Sequence, residues 1–165
     1  MLDPKSQPSA AVLNWYHLEP VLRLADKYDI TVLRVLCVSY MACNQADIKL
    51  EESLTSPKNP LIAATLMEQC CAQPELDPYV KPVNAVVNAA LTAPTGSTAQ
   101  RAFMGKLRAL VTSPLYMKLV SPGVQARVMS MLVSVMDSVM AAASVEARQD
   151  YQQQHSPPLA CAECC

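Results

Sequence analysis

Apolar residues recur along this chain at the three- and four-residue spacing of one helix face, segment after segment, without the strict alternation of a half-buried strand. The first run holds Leu18, Val21, Leu22, Leu24 and Ala25 and predicts a helix over 17–28. Pro20 suits that helix only in the first turn, where its missing N–H has no helical partner. Asp29-Ile30-Thr31 reads as a tight junction. Thr31 is placed to cap the next helix through its hydroxyl, and Ile30 and Val35 to form a hydrophobic staple. The second helix, over 32–43, carries Val32, Leu33, Val35, Leu36, Tyr40 and Met41. So short a junction makes the pair a helical hairpin.

Residues 44–58 are polar and mixed and read as a linker. Asn59-Pro60 is a cap followed by a proline, which starts a third helix over 60–72, and Asp77-Pro78 starts a fourth. In the fourth, Val83, Val86, Val87, Ala90 and Leu91 keep the helical spacing. Ala93-Pro94-Thr95-Gly96 breaks the chain, and Ser97 with Gln100 forms a capping box. A fifth helix follows with Phe103, Met104, Leu107, Leu110 and Val111 on one stripe. Ser113-Pro114 and Ser121-Pro122 open a short sixth and a long seventh, the latter aligning Val124, Val128, Met131, Leu132, Val135 and Val139. From 143 the composition turns polar and predicts a disordered tail through Gln152-Gln153-Gln154-His155 to Cys165.

The expected fold is therefore all-α: stacked hairpins of about seven helices with no convincing strand. Its expected parts are a lead-in over 1–10, a hairpin over 11–45, a helical region over 58–142 and a tail over 143–165. Three glycines in 165 residues argue against a turn-rich sandwich or barrel.

Composition narrows the function. Net charge is −1 with no basic run, so no nucleic-acid footprint is present. No apolar stretch is expected to reach the ~20 residues of a membrane span. The start Met1-Leu2-Asp3-Pro4-Lys5 lacks the pattern of a signal peptide. Seven cysteines, an odd number, then imply reduced thiols in a cytoplasmic or nuclear protein.

Cys161, Cys164 and Cys165, with His155 nearby, could form part of a zinc site, but no second ligand pair accompanies them. The final Cys-Cys also suits lipidation, although a C-a-a-X box would need cysteine where Ala162 stands. Cys70 and Cys71, adjacent on a helix, diverge by about 100° and read as small buried hydrophobes. His17 and His155, the only histidines, belong to no catalytic motif. No catalytic, cofactor-binding or metal-ligating residue is assigned, and no enzyme activity or cofactor is expected. Met129, Met131, Met136 and Met140 read either as core and ordinary surface or as an adaptable apolar groove for a partner helix.

One stretch carries a family pattern. Leu22, Leu24, Ala25, Asp26, Lys27, Tyr28 and Ile30, followed by Leu33, Cys37 and Tyr40-Met41, resemble the late helical hairpin of BTB (POZ) domains. The likeness covers about 30 residues, and Pro20 sits where many such domains have a proline. In the physical reading of this segment, Leu22 and Ala25 pack inward, Tyr28 is a large buried ring, Leu33, Leu36 and Cys37 close the hairpin, and Asp26 and Lys27 face solvent. The family's strand-rich first part does not fit in the 21 residues before Leu22. The resemblance thus implies a shortened relative, with 58–142 as a BACK-like helical extension. It also implies an adaptor that binds other proteins, in the setting of substrate recruitment to a cullin-type ubiquitin ligase. Its partners would be a cullin scaffold or a ligase substrate, and lack of the dimerising elements implies a monomer. The alternatives are a helical structural or regulatory module with no ligase link, or a protein dependent on its tail for zinc or lipid tethering.

Overall fold

The computed structural model describes residues 13–94 and 97–155, without the side chains of 97 and 142–155. Those residues form seven α-helices and no strand: α1 (Trp15–Lys27), α2 (Thr31–Cys43), α3 (Pro60–Cys70), α4 (Asp77–Ala90), α5 (Ser97–Val111), α6 (Tyr116–Leu119) and α7 (Pro122–His155). Short 3-10 turns, Gln45–Asp47 and Pro74–Leu76, precede α3 and α4. The all-α class expected from the apolar spacing is the observed one. Contacts divide the chain into one compact unit ending at Val128 and a second beginning at Met129.

In the first unit α1 packs on α2 and α3, and α4 packs on α2 and α3. Helix α3 is the centre. Every residue from Pro60 to Met67 is buried, the mark of a helix enclosed on all sides rather than on one stripe. Its start is built as the Asn-Pro pair implies. The Asn59 carboxamide oxygen accepts from Leu61 N at 2.9 Å, and its Nδ2 donates to Glu52 O at 2.6 Å. Asn59 is itself fully buried, so it ties the incoming loop to the helix it caps.

The polar segment expected as a linker is packed down. Ile48, Leu50 and Leu54 are all buried, and Lys49 N donates to Lys58 O at 3.0 Å. Three aliphatic residues in a polar stretch were enough to fold it onto the core, since loop closure over so few residues costs little.

Helix α1 begins earlier than the apolar run. Asn14 caps it, its side chain accepting from Tyr16 N at 3.0 Å and His17 N at 3.1 Å. Pro20 consequently lies inside the helix and not in its first turn. The carbonyl it leaves without a donor belongs to Tyr16, which is 85% exposed and can turn to water. Thr31 does not cap α2. The cap position is Ile30, which makes no side-chain hydrogen bond, and Thr31 is already the first helical residue.

Helix α4 buries Val80, Val83 and Val87, and Leu91 follows as its buried cap residue. In α5, Phe103 and Leu107 are buried. Ser97 is the first residue of that helix, and the side chain of its expected capping box lies outside the described residues. Helix α7 continues to His155, well past 143. Alanine, glutamate, arginine and glutamine over 141–154 are strong helix formers, and the first breaker is Pro157. Residues 156–165 of the expected tail lie outside the described residues. Within α7, the twenty residues Pro122–Ala141 are long and apolar enough to cross a bilayer by length and composition, contrary to the expectation that no such stretch exists.

Candidate functional site

The hairpin that carries the family pattern is held from within by a buried arginine. Arg34 is 2% exposed and sits on the inner face of α2 with Cys37, Val38 and Met41. Its Nη1 donates to Asp26 Oδ1 at 3.3 Å, and its Nη2 donates to Asp29 Oδ1 and, at 3.4 Å, to Thr31 Oγ1. Burial of a guanidinium is tolerated when its donors find acceptors. Here the acceptors come from the end of α1, the three-residue junction and the first residue of α2. Asp29 adopts φ 54°, the left-handed conformation that lets the chain reverse. Ile30 N closes the turn onto Ala25 O at 2.7 Å.

This network shifts the faces of both helices from the expected arrangement. Leu22 and Ala25 are buried as expected, and so is Cys37. Leu33 and Tyr40 are half-buried. Leu24 is 51% exposed, Tyr28 61%, Val32 77% and Leu36 47%. Tyr28 is therefore not a buried ring, and Leu36 does not close the hairpin. Tyr28 lies just past the last turn of α1, where its ring receives Lys27 Nζ at 5.5 Å from the centroid. Ile30 is also exposed. Lys27 faces solvent as expected, while Asp26 is only partly exposed because it answers Arg34. Pattern reading placed the stripe of α2 on Leu33 and Leu36. The true inner face runs through Arg34, whose charge disguised it as an outer position.

A second cluster joins the hairpin to the loop before α3. Trp15 Nε1 donates to Asp47 Oδ2 at 2.9 Å, and the indole meets Tyr40 edge-on at 5.5 Å between centroids. Lys58 Nζ lies 3.6 Å from the same carboxylate oxygen and 6.0 Å from the indole centroid. Beside them is an open groove of about 690 Å³, with His17, Glu19, Arg23, Glu52 and Lys58 among its lining. Arg23 is engaged by Glu19 at 2.8 Å and by Gln69 at 3.1 Å. Of Trp15, Tyr40, Asp47 and Lys58, the sequence singled out Tyr40 alone, as part of the family pattern. The lone tryptophan at the edge of the hairpin was the available signal.

The buried thiols of Cys37, Cys70 and Cys71 are held as neutral groups. Burial pushes Cys37 up to about 11 and Cys71 up to about 12, and raises Cys70. Such thiols are poor nucleophiles and poor ligands at neutral pH. Among the described residues no three His, Cys, Asp or Glu side chains gather where they could hold a metal ion. Cys161, Cys164 and Cys165 lie outside the described residues. What the surface offers is apolar contact on the outer sides of α1 and α2, flanked by Lys27 and the acidic end of the junction. No family model, no curated protein and no solved structure matches the chain.

Proposed function

We propose that this chain is a protein-interaction module whose docking surface is the outside of the α1–α2 hairpin, used as a BTB-like adaptor uses its helical part. The observation that carries the reading is the exposure of Val32, Leu36, Leu24 and Tyr28 on two helices whose inner faces are already filled. A monomer gains nothing by presenting four large apolar side chains on one short hairpin, and such residues mark contact sites. The Arg34 network fixes the two helices, so the surface is preorganised and loses little entropy on binding. The residues Leu22 to Tyr40 that resemble the family supply the partner class: a cullin scaffold or a ligase substrate, met in the cytoplasm or nucleus.

The test is a titration of the purified chain against a cullin N-terminal domain, with Val32→Asp and Leu24→Asp as surface variants. The contact is small, so a Kd of about 10 μM or weaker is expected. Loss of that binding in both variants, with unchanged helicity, is the supporting result. Absence of any binding by the native chain removes the ligase link and leaves the alternative of a structural or regulatory module.

A further inference from the structure

The second unit carries an apolar face that the hairpin reading does not use. Met129, Val133, Met136 and Met140 are each more than half exposed on α7. They follow one another at intervals of four, three and four residues. That is the a/d seam of a left-handed coiled coil, a period of 3.5 and not 3.6. Val133 and Met140 take the a positions, and Met129 and Met136 the d positions. Val139, also more than half exposed, and half-buried Leu132 lie beside the seam at the g positions. Ser130 and Asp137 occupy the e positions on its other side.

We infer that α7 pairs with α7 of a second copy of this chain, antiparallel, across the Met129–Val133–Met136–Met140 seam. The two flanks decide both the occupant and the direction. A parallel pair sets g against e of the partner helix and would press Leu132 against a partner's Asp137. An antiparallel pair sets g against g and e against e. Leu132 then meets a partner's Val139, and Asp137 meets a partner's Ser130, whose hydroxyl can donate to the carboxylate. The face is thus complementary to itself under a two-fold axis, as an isologous interface requires. The exposed seam and Val139 amount to on the order of 500 Å² per copy, so a pair covers about 1,000 Å², the lower end of specific interfaces.

The surface of a bilayer fits the same face less well. Interfacial helices carry lysine and arginine on the polar side and aromatic anchors at its edge. Between Pro122 and Ala141, α7 has Arg127 and Asp137 as its only charges and no aromatic residue. The family resemblance implied a monomer because dimerising elements ahead of the hairpin are missing, and pairing through α7 departs from that expectation.

The experiment is sedimentation of the full chain with a phosphine reductant, which removes disulfide-linked dimers, beside flotation with phosphatidylcholine–phosphatidylserine vesicles. A reversible dimer with a Kd of about 10 μM is expected. Val133→Asp or Met136→Lys should weaken it at least tenfold while leaving the circular dichroism of the monomer unchanged, because both positions are exposed. Ser134→Asp, on the opposite side of α7, should leave it intact. A native chain that stays monomeric at about 100 μM overturns the inference. So does a dimer indifferent to both seam variants, or a monomer that floats with vesicles through this face.

Discussion

Arg34 on α2 reaches back across the hairpin to Asp26 on α1, with Nη1 3.3 Å from Oδ1. The guanidinium is 2% exposed, whereas the carboxylate keeps 38% of its side-chain area in water. That asymmetry decides which substitution matters. Removing the arginine leaves two aspartates that can turn to solvent, so no buried charge is stranded. Removing Asp26 leaves a buried cation whose Nε already lacks a partner among the described residues. Arg34→Met, which keeps most of the volume, should therefore cost under about 1 kcal/mol. Arg34→Ala opens a cavity and should cost about 3 kcal/mol. Asp26→Ala should cost about 1–2 kcal/mol, Asp29 still answering part of the charge. Urea unfolding of the three variants checks the order, and an Arg34→Met loss equal to that of Arg34→Ala would show the charge itself to be essential.

Asp29 combines a strained backbone with an ion pair at the surface. Its φ of 54° costs a side chain about 1 kcal/mol that glycine does not pay. Its carboxylate is 88% exposed, so its pairing with Arg34 contributes little. Asp29→Gly gives up the pair and some unfolded-state order but relieves the strain, and stability should stay within about 0.5 kcal/mol of native. Asp29→Val adds a β-branch at positive φ and should lose about 1–2 kcal/mol. Equal losses in thermal melts of the two would place the cost in the carboxylate and not in the backbone.

Much of the fold was readable because helix signals are local. Asn59-Pro60 and Asp77-Pro78 each stand where a helix starts, and α2 ends at Cys43 as its apolar run does. What failed was the choice of face. Val32 and Leu36 are apolar and exposed while Arg34 is charged and buried, an inversion set by tertiary partners on α1 that no spacing rule contains. The packing of Ile48, Leu50 and Leu54 was hidden for the same reason: scattered aliphatics in a polar loop acquire meaning only when the core stands next to them. The Met-Val seam of α7 was half legible, since Met129, Met136 and Met140 already stand out as a candidate groove for a partner helix, but their 3.5 period shows only when Val133 is counted with them.

Leu22 and Leu24 illustrate the same division in a single turn of α1. Both sit in the run that predicted the helix, yet Leu22 is fully buried and Leu24 is 51% exposed. Leu22→Ala should cost about 2–5 kcal/mol through lost transfer energy and a cavity. Leu24→Ala should stay within about 0.5 kcal/mol of native. Chemical denaturation of both in parallel is the check, and comparable losses would contradict the faces assigned to α1.

The buried thiols make the protein sensitive to alkali. Cys37 and Cys71 titrate near 11 and 12 when folded, against about 9 when free, because burial disfavours the thiolate. Below pH 9 both states hold the proton and the thiols contribute no pH dependence. Above it the unfolded chain releases protons that the folded chain retains, so stability falls as pH rises toward 11 and 12. Each thiol accounts for about 1.4 kcal/mol per pH unit while that gap is open. Unfolding free energies at successive pH values above 9 should decline, and Cys71→Ala should flatten the slope. A slope unchanged by that substitution would assign the alkaline loss to other groups.

The start of α7 is fastened to α3 by a chain of hydroxyls, and glycine makes room for it. Ser121 Oγ donates to Glu68 Oε2 at 2.8 Å, and Ser121 N donates to Thr65 Oγ1 at 3.1 Å. Thr65 in turn donates to Leu61 O at 2.8 Å. Ser121 is buried and its Oγ also lies 3.4 Å from Val124 N, as an N-cap does. A Cβ on Gly123 would stand 2.5 Å from Glu68 Oε1, so the carboxylate occupies the space a side chain would need. Ser121→Ala should cost about 1–2 kcal/mol, since it removes a cap and strands part of a buried network. Gly123→Ala has two opposing effects. Alanine gains about 0.5–1 kcal/mol as a helix former but pushes Glu68 off the helix end, where a negative charge is favoured. The carboxylate is the far end of a flexible side chain and can move, so the two effects should nearly cancel in the native background. With Glu68→Ala already present the clash is gone, and the same Gly123→Ala change should stabilise by about 0.5–1 kcal/mol. A double-mutant cycle measured by urea unfolding reads that coupling. Independent, additive effects would mean that Glu68 does not hold the end of α7.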